Sequence, residues 1–235
     1  MKNSKPLPKA DLAKETGGWL KRFHTKSNML VLIVIALLLG QVPYLKNLLG
    51  WQMTFFHEIS HGLAALATGG SIVRIELNFS GAGLCVTKGG LRWITSFAGY
   101  AGAAFWGVLI YLSAGFFSKK HSHILAGLLA ALLAWSGILY ARDLETWAII
   151  SLMALLYAAV LKFRETLSLS VFLKLAGLYI LLDALKAPVA LFRHQAVNDA
   201  TNLASQTGFP ALFWIIAWLI IVAASLVLIW KLEKK

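Results

Sequence analysis

The sequence predicts an all-α polytopic membrane protein of about six to seven transmembrane helices, interrupted by one small β-hairpin. Three observations carry that prediction. The chain is 59% hydrophobic and only 14% charged, against roughly 45–50% and about 25% in soluble domains. The apolar residues are gathered into long runs, such as "MLVLIVIALLLGQVPYL" and "ALFWIIAWLIIVAASLVLIW", and about 20 such residues suffice to span a bilayer as a helix. One stretch, between residues 69 and 90, breaks the helical pattern with a period-two alternation.

Taken in order, residues 1–28 form a basic segment with Lys2, Lys5, Lys9, Lys14, Lys21, Arg22 and Lys26, which places the N-terminus in the cytoplasm. No small-residue cleavage pattern follows the first apolar run, so that run is not read as a cleavable signal. A single membrane-embedded domain, 29–232, follows, and a basic tail closes the chain at 233–235. The apolar runs fall at 29–49, 51–69, 93–117, 123–141, 145–162, 170–192 and 210–230. Seven full spans would leave the tail "KLEKK" outside, against the orientation rule, and 145–162 is the weakest span candidate. The net charge of +12 is accounted for by Lys and Arg at segment ends, which argues for a bilayer and against nucleic acid as partner. Nine Trp fit the same interfaces, and a lone cysteine, Cys85, excludes an internal disulfide.

The hairpin is read at 71–88. Val73, Ile75, Leu77 and Phe79 alternate with Arg74, Glu76 and Asn78, the mark of a half-buried strand. Gly81 and Gly83 supply a turn, and "LCVTK" returns as the second strand. Open strand edges do not face lipid, so the hairpin is expected at the membrane surface.

The stretch "TFFHEISHGLAALATGG", Thr54 to Gly70, holds the chemistry. His57 and His61 stand at i and i+4, which stacks them on one helix face. Two imidazoles so placed bind one zinc ion, and Glu58 is in position to act as general base on water in the open zinc position. Zinc lowers the pKa of that water to about 7. The same pattern on a soluble helix usually means a solvated face. Here the flanks are apolar, and ionisable residues in such segments mark functional sites.

The stretch "FFHEISHGLAALATGGSIVRIELNFSGAGLCVTKGGLRW" resembles the opening of bacterial membrane metallopeptidases related to site-2 protease, in their M50B-like branch. "AGYAGAAFWG", Ala98 to Gly107, and "NDATNLASQTGFPALFW", Asn198 to Trp214, resemble that branch too. The resemblance covers roughly residues 50–110 and 195–218. It implies a zinc-dependent endopeptidase of the bacterial inner membrane, acting on membrane-protein or membrane-associated peptide substrates. Better-known site-2 proteases carry a Gly-Pro-x-x-Asn motif on the next core helix, and "AGYAGAAFWG" has neither Pro nor Asn. Tyr100 is read there as an interfacial aromatic, and Gly99, Ala101, Gly102 and Ala103 as small residues for close helix packing.

The resemblance also implies a third zinc ligand, an Asp from a later helix. Asp183 lies in the apolar "YILLDALKAP" and Asp199 in the polar "HQAVNDATNLA". Depth favours Asp183, since about ten residues separate it from the end of its run and about eight separate His61 from the Gly69–Gly70 break, ~15 and ~12 Å at 1.5 Å per residue. Against it, Asp183 can pair with Lys186 on its own helix. Asp199 can cap a short helix or fold back into the site. His194 and Asp143 read as interfacial, His121 and His123 as solvated loop residues, and Pro188 as a helix kink. The reading is a membrane metallopeptidase in which a substrate helix unwinds and adds to the hairpin edge. The alternative is a non-proteolytic transporter or metal-binding scaffold with a degenerate HExxH site.

Overall fold

The computed structural model describes residues 26–114, 119–162, 166–191 and 198–233. The described elements are α1 (Lys26–Leu39), α2 (Pro43–Ala67), β1 (Ser71–Leu77), β2 (Gly83–Lys88), α3 (Arg92–Ser113), α4 (Lys119–Tyr140), α5 (Leu144–Val160), α6 (Thr166–Ala190), α7 (Asp199–Thr207) and α8 (Ala211–Leu232). The protein is thus mostly helical, with one two-stranded antiparallel sheet. Among the described residues, three helices are long and apolar enough to cross a membrane: α3, the Ser122–Tyr140 part of α4, and α8. A bent pair, α1 with α2, raises that to four if it counts as one span.

The boundary between the first two apolar runs lies earlier than expected. Helix α1 closes with the Gly40 N–H bonded to the Ala36 carbonyl at 3.1 Å. Pro43 then opens α2 without a side-chain cap. Proline has no N–H to leave unsatisfied and its φ suits a first turn. The two helices meet at 113°, and α2 runs on through Gly50 and Trp51, where hydropathy alone placed the break. Helix α4 likewise begins at Lys119, so His121 and His123 are helical rather than in a loop. Asp143 caps α5, its side chain accepting from the Thr146 backbone N–H at 2.7 Å.

Helix α3 is the centre of the molecule and packs against α2, α6, α7 and α8. Its crossing with α6 runs backbone to backbone. A Cβ on Gly107 would meet the Gly177 carbonyl at 3.1 Å, and one on Gly177 would meet the Tyr111 N at 2.7 Å. Small residues permit such approach where lipid gives no hydrophobic drive to pair helices.

The hairpin pairs Ile75 with Cys85, Glu76 with Leu84 and Leu77 with Gly83. Ile75 and Leu77 are buried as the alternation predicts, but the register shifts between Ile72 and Arg74, and Val73 points outward. A bulge of this kind flips the side-chain phase of whatever precedes it. Gly81, at φ 93°, makes the turn. Gly83 instead starts β2. The hairpin folds back along α2 rather than lying off its end: Thr54 Oγ1 donates to the Gly81 carbonyl at 2.8 Å, and Trp51 Nε1 to the Asn78 carbonyl at 3.0 Å. The outer edge of β1 is covered. Ile75 bridges to Ala141, and the Leu77 N–H donates to Thr146 Oγ1 at 2.8 Å.

Candidate metal centre

Helix α2 carries His57, Glu58 and His61 near its middle, and Glu58 and His61 are buried. The i, i+4 spacing stacks the two rings, whose centroids are 4.6 Å apart. Both turn Nε2 to the same point, 3.0 Å from each other. Asp199 completes the group, its Oδ2 lying 3.1 Å from His57 Nε2 and 3.3 Å from His61 Nε2. These are the residues that, among those described, could together hold a metal ion.

The donor set fits zinc. Tetrahedral Zn–N and Zn–O bonds of about 2.0–2.1 Å hold ligand atoms ~3.3 Å apart, close to the triangle of 3.0, 3.1 and 3.3 Å. His61 Nδ1 lies 2.6 Å from the Thr95 carbonyl. A carbonyl only accepts, so Nδ1 carries the proton and the neutral ring offers Nε2 as a lone pair, the usual arrangement behind a ligating histidine. His57 Nδ1 is buried with no hydrogen-bond partner among the described residues.

Asp199 reaches the histidines because Asn198 takes the cap of α7. The Asn198 side chain accepts from the Thr201 N–H at 3.1 Å, and the Thr201 hydroxyl is bonded in return to the Asn198 N–H at 2.9 Å. Asp199, the first helical residue, is left to turn inward while α7 packs on α3 and α8. The structure therefore brings Asp199, not Asp183, to His57 and His61. Asp183 lies on α6 with Lys186 and Lys46 acting on its charge. The depth comparison that favoured Asp183 counted rise along single helices. It could not see a separate short helix seating its first residue against α2. His194 lies outside the described residues.

The second strand walls the site. A cavity of about 420 Å³ is lined by His57, Glu58, His61 and Asp199, by Gly83 to Cys85 and Thr87 of β2, and by Thr95, Tyr100 and Asn202. The Cys85 backbone amide lies beside the Glu58 carboxylate. In an antiparallel strand the groups on one edge repeat every second residue, so Gly83, Cys85 and Thr87 share the edge that faces the cavity. Burial and the nearby Glu58 push the Cys85 thiol up to about 12, so it stays protonated, in keeping with a small apolar strand residue.

Helix α3 closes the other side. A Cβ on Gly99 would stand 2.5 Å from His57 Cε1 and 2.6 Å from His61 Nε2, and one on Gly102 would stand 2.2 Å from Ser60 Oγ. The small residues serve close packing, as expected, and that packing is against the histidines themselves. Tyr100 is 7% exposed, with its ring edge-on to His57 at 4.4 Å and against Trp218 at 4.8 Å. It is a wall of the site rather than an interfacial aromatic. Sequence reasoning also missed the Thr95 carbonyl and Asn202, which carry no motif signal.

Apolar helices thus enclose two imidazoles, a carboxylate and an adjacent glutamate, a donor set suited to a metal ion. A family model described as Peptidase M50B-like matches residues 29–229, and the chain belongs to that family. No curated protein and no solved structure matches it.

Proposed function

We propose that the chain is a zinc-dependent endopeptidase that hydrolyses peptide bonds in or near the bilayer. The observation that carries this is the convergence of His57 Nε2, His61 Nε2 and Asp199 Oδ2 beside a buried Glu58. His57, His61 and Asp199 would hold the metal at the wall of the cavity. Zinc bound there supplies Lewis acidity, polarising a carbonyl and making water a better nucleophile. Glu58 takes the proton of the attacking water and passes it to the leaving amine. The cavity-facing edge of β2 offers backbone groups to an unwound substrate segment, which pairs as an added strand. Glycine at 83 keeps that edge close, since a Cβ there would stand 2.9 Å from Glu58 Oε1.

The substrates are membrane proteins or membrane-associated peptides, and the location is a bacterial inner membrane with a cytoplasmic N-terminus. The helical body from residue 29 to 232 acts as one domain, with six crossings if the 17-residue α5 stops short and seven if it spans. The test is metal analysis and peptide cleavage on one set of detergent-purified variants. Wild type should carry about one zinc per chain, His57→Ala little, and Glu58→Gln as much as wild type. Cleavage should fall about 10²–10⁴-fold in Glu58→Gln, the usual contribution of a general base. Full cleavage by Glu58→Gln would remove the mechanism. Zinc bound by wild type and lost in His57→Ala, with no cleavage by wild type beyond that of Glu58→Gln, would favour the scaffold reading of the motif.

A further inference from the structure

One polar side chain in the cavity has no task in the mechanism above. Asn202 stands one turn after Asp199 on α7, so the two project from the same helix face with Cβ atoms about 5–6 Å apart. Its backbone is occupied: the N–H bonds to the Asn198 carbonyl at 2.8 Å, and its carbonyl accepts from Ser205 Oγ at 2.8 Å. The side-chain amide therefore remains to line the cavity, and it makes no hydrogen bond to another described residue. Asn198, the neighbouring amide, is used as the helix cap. The short helix that carries Asn202 is fixed by that capping box, by Gly208 at φ 79°, and by the buried Ala200 and Leu203.

Resting on the peptidase reading, we propose that the Asn202 amide is a catalytic hydrogen-bond donor to the scissile carbonyl oxygen of the substrate. During hydrolysis the water oxygen bonds to the carbonyl carbon, its proton goes to Glu58, and the carbonyl π pair moves onto the oxygen. The C–N bond then breaks, the amine leaves with the proton held by Glu58, and the carbonyl re-forms as a carboxylic acid. The oxygen is anionic only between those two events, so a fixed N–H aimed at it favours the transition state over the bound substrate. Asn202 supplies such an N–H from a rigid helix that also supplies Asp199, which keeps donor and metal group in one register.

The probe is a quenched-fluorescent library of apolar peptides in detergent, read alongside zinc content and binding of a phosphinic peptide that mimics the tetrahedral oxygen. Asn202→Ala and the near-isosteric Asn202→Leu should each lower kcat about 10²–10³-fold, the loss seen when one such donor is removed. KM and zinc content should change little, while the phosphinic peptide should bind correspondingly more weakly. Tyr100→Phe, which removes the neighbouring phenol, is measured alongside. Wild-type kcat in either Asn202 variant overturns the proposal, as does a loss seen in KM with analogue binding intact. Loss in Tyr100→Phe with Asn202→Ala unchanged would assign the donor to Tyr100 instead. If wild type cleaves nothing in the library, or Glu58→Gln cleaves as well as wild type, the peptidase reading itself has failed, and that outcome is distinct from the others.

Discussion

Gly99 constrains the site through the side chain it lacks. The space its Cβ would fill is occupied by the rings of His57 and His61 at 2.5–2.6 Å. The same helix, one turn earlier, also holds His61 through the Thr95 carbonyl at 2.6 Å. Gly99→Ala should therefore displace the imidazoles and weaken zinc binding by about 10–100-fold, the usual effect of disturbing what orients metal ligands. A zinc titration of the purified variant checks this, and an unchanged affinity would show that α3 yields easily. The aspartates give a second test at this scale. Asp199→Asn should lose zinc, because the donor triangle loses its anionic corner. Asp183→Asn should keep zinc, because Asp183 stands outside the group formed by His57, His61 and Asp199. Metal content of the two variants decides it, and the reverse pattern would restore Asp183. His57, Glu58 and His61 were legible in the sequence because local helical spacing alone sets their geometry. The choice between Asp183 and Asp199 was not, because the carboxylate arrives through a long-range return of the chain that no local pattern encodes.

The bend between α1 and α2 sets the topology at the level of elements. Beyond 90° a second helix runs back past the first. At 113°, the 25 residues of α2 rise about 37 Å and return ~15 Å along the axis of α1, against the ~21 Å that its 14 residues advanced. Lys26 and the Gly69–Gly70 break thus end at similar levels on the same side of the bend. The chain before α1 and the mouth of the hairpin should share a face of the membrane, the cytoplasmic one by the basic residues of the head. Single cysteines at Ser4 and at Ser71, the exposed first residue of β1, in a chain with Cys85→Ala, should react with an impermeant reagent from one side only. Reaction from opposite sides would refute the arrangement. The hairpin was legible from its alternation because one face is buried and one is not. The bulge at Val73 was invisible, since an extra residue leaves composition and turn signals intact. The α1–α2 break was missed for a related reason: hydropathy counts apolar residues across Gly40 and Pro43 alike, whereas the helix answers to backbone hydrogen bonds.

Across the whole molecule, α8 is pinned to the central helix at both ends. At the site end Trp218 Nε1 donates to the Phe97 carbonyl at 3.0 Å, and its ring braces Tyr100. At the far end Glu233 accepts from Tyr111 Oη at 2.6 Å and from Lys174 of α6, so one carboxylate ties three helices together. Glu233 is 8% exposed and Lys174 3%. The partners of Glu233 could not be read from the sequence, because a charge is counted there by its position in a string and not by what it meets in space. Burial makes the pair sensitive to losing one member, since a buried charge left without its partner is destabilised by about 3–5 kcal/mol. Glu233→Ala should lower the apparent Tm in detergent by ~6–20 °C, at roughly 2–4 °C per kcal/mol for a chain of this size. Adding Lys174→Met should recover part of that loss, because removing both charges together is far less costly than removing one. Fifteen residues of α8, about 22 Å, separate Glu233 from Trp218, so zinc content below the transition should be unchanged in both variants. A Glu233→Ala chain that melts with wild type would show that the tie carries no stability. One that loses zinc while still folded would show that the far end of α8 reaches the site after all.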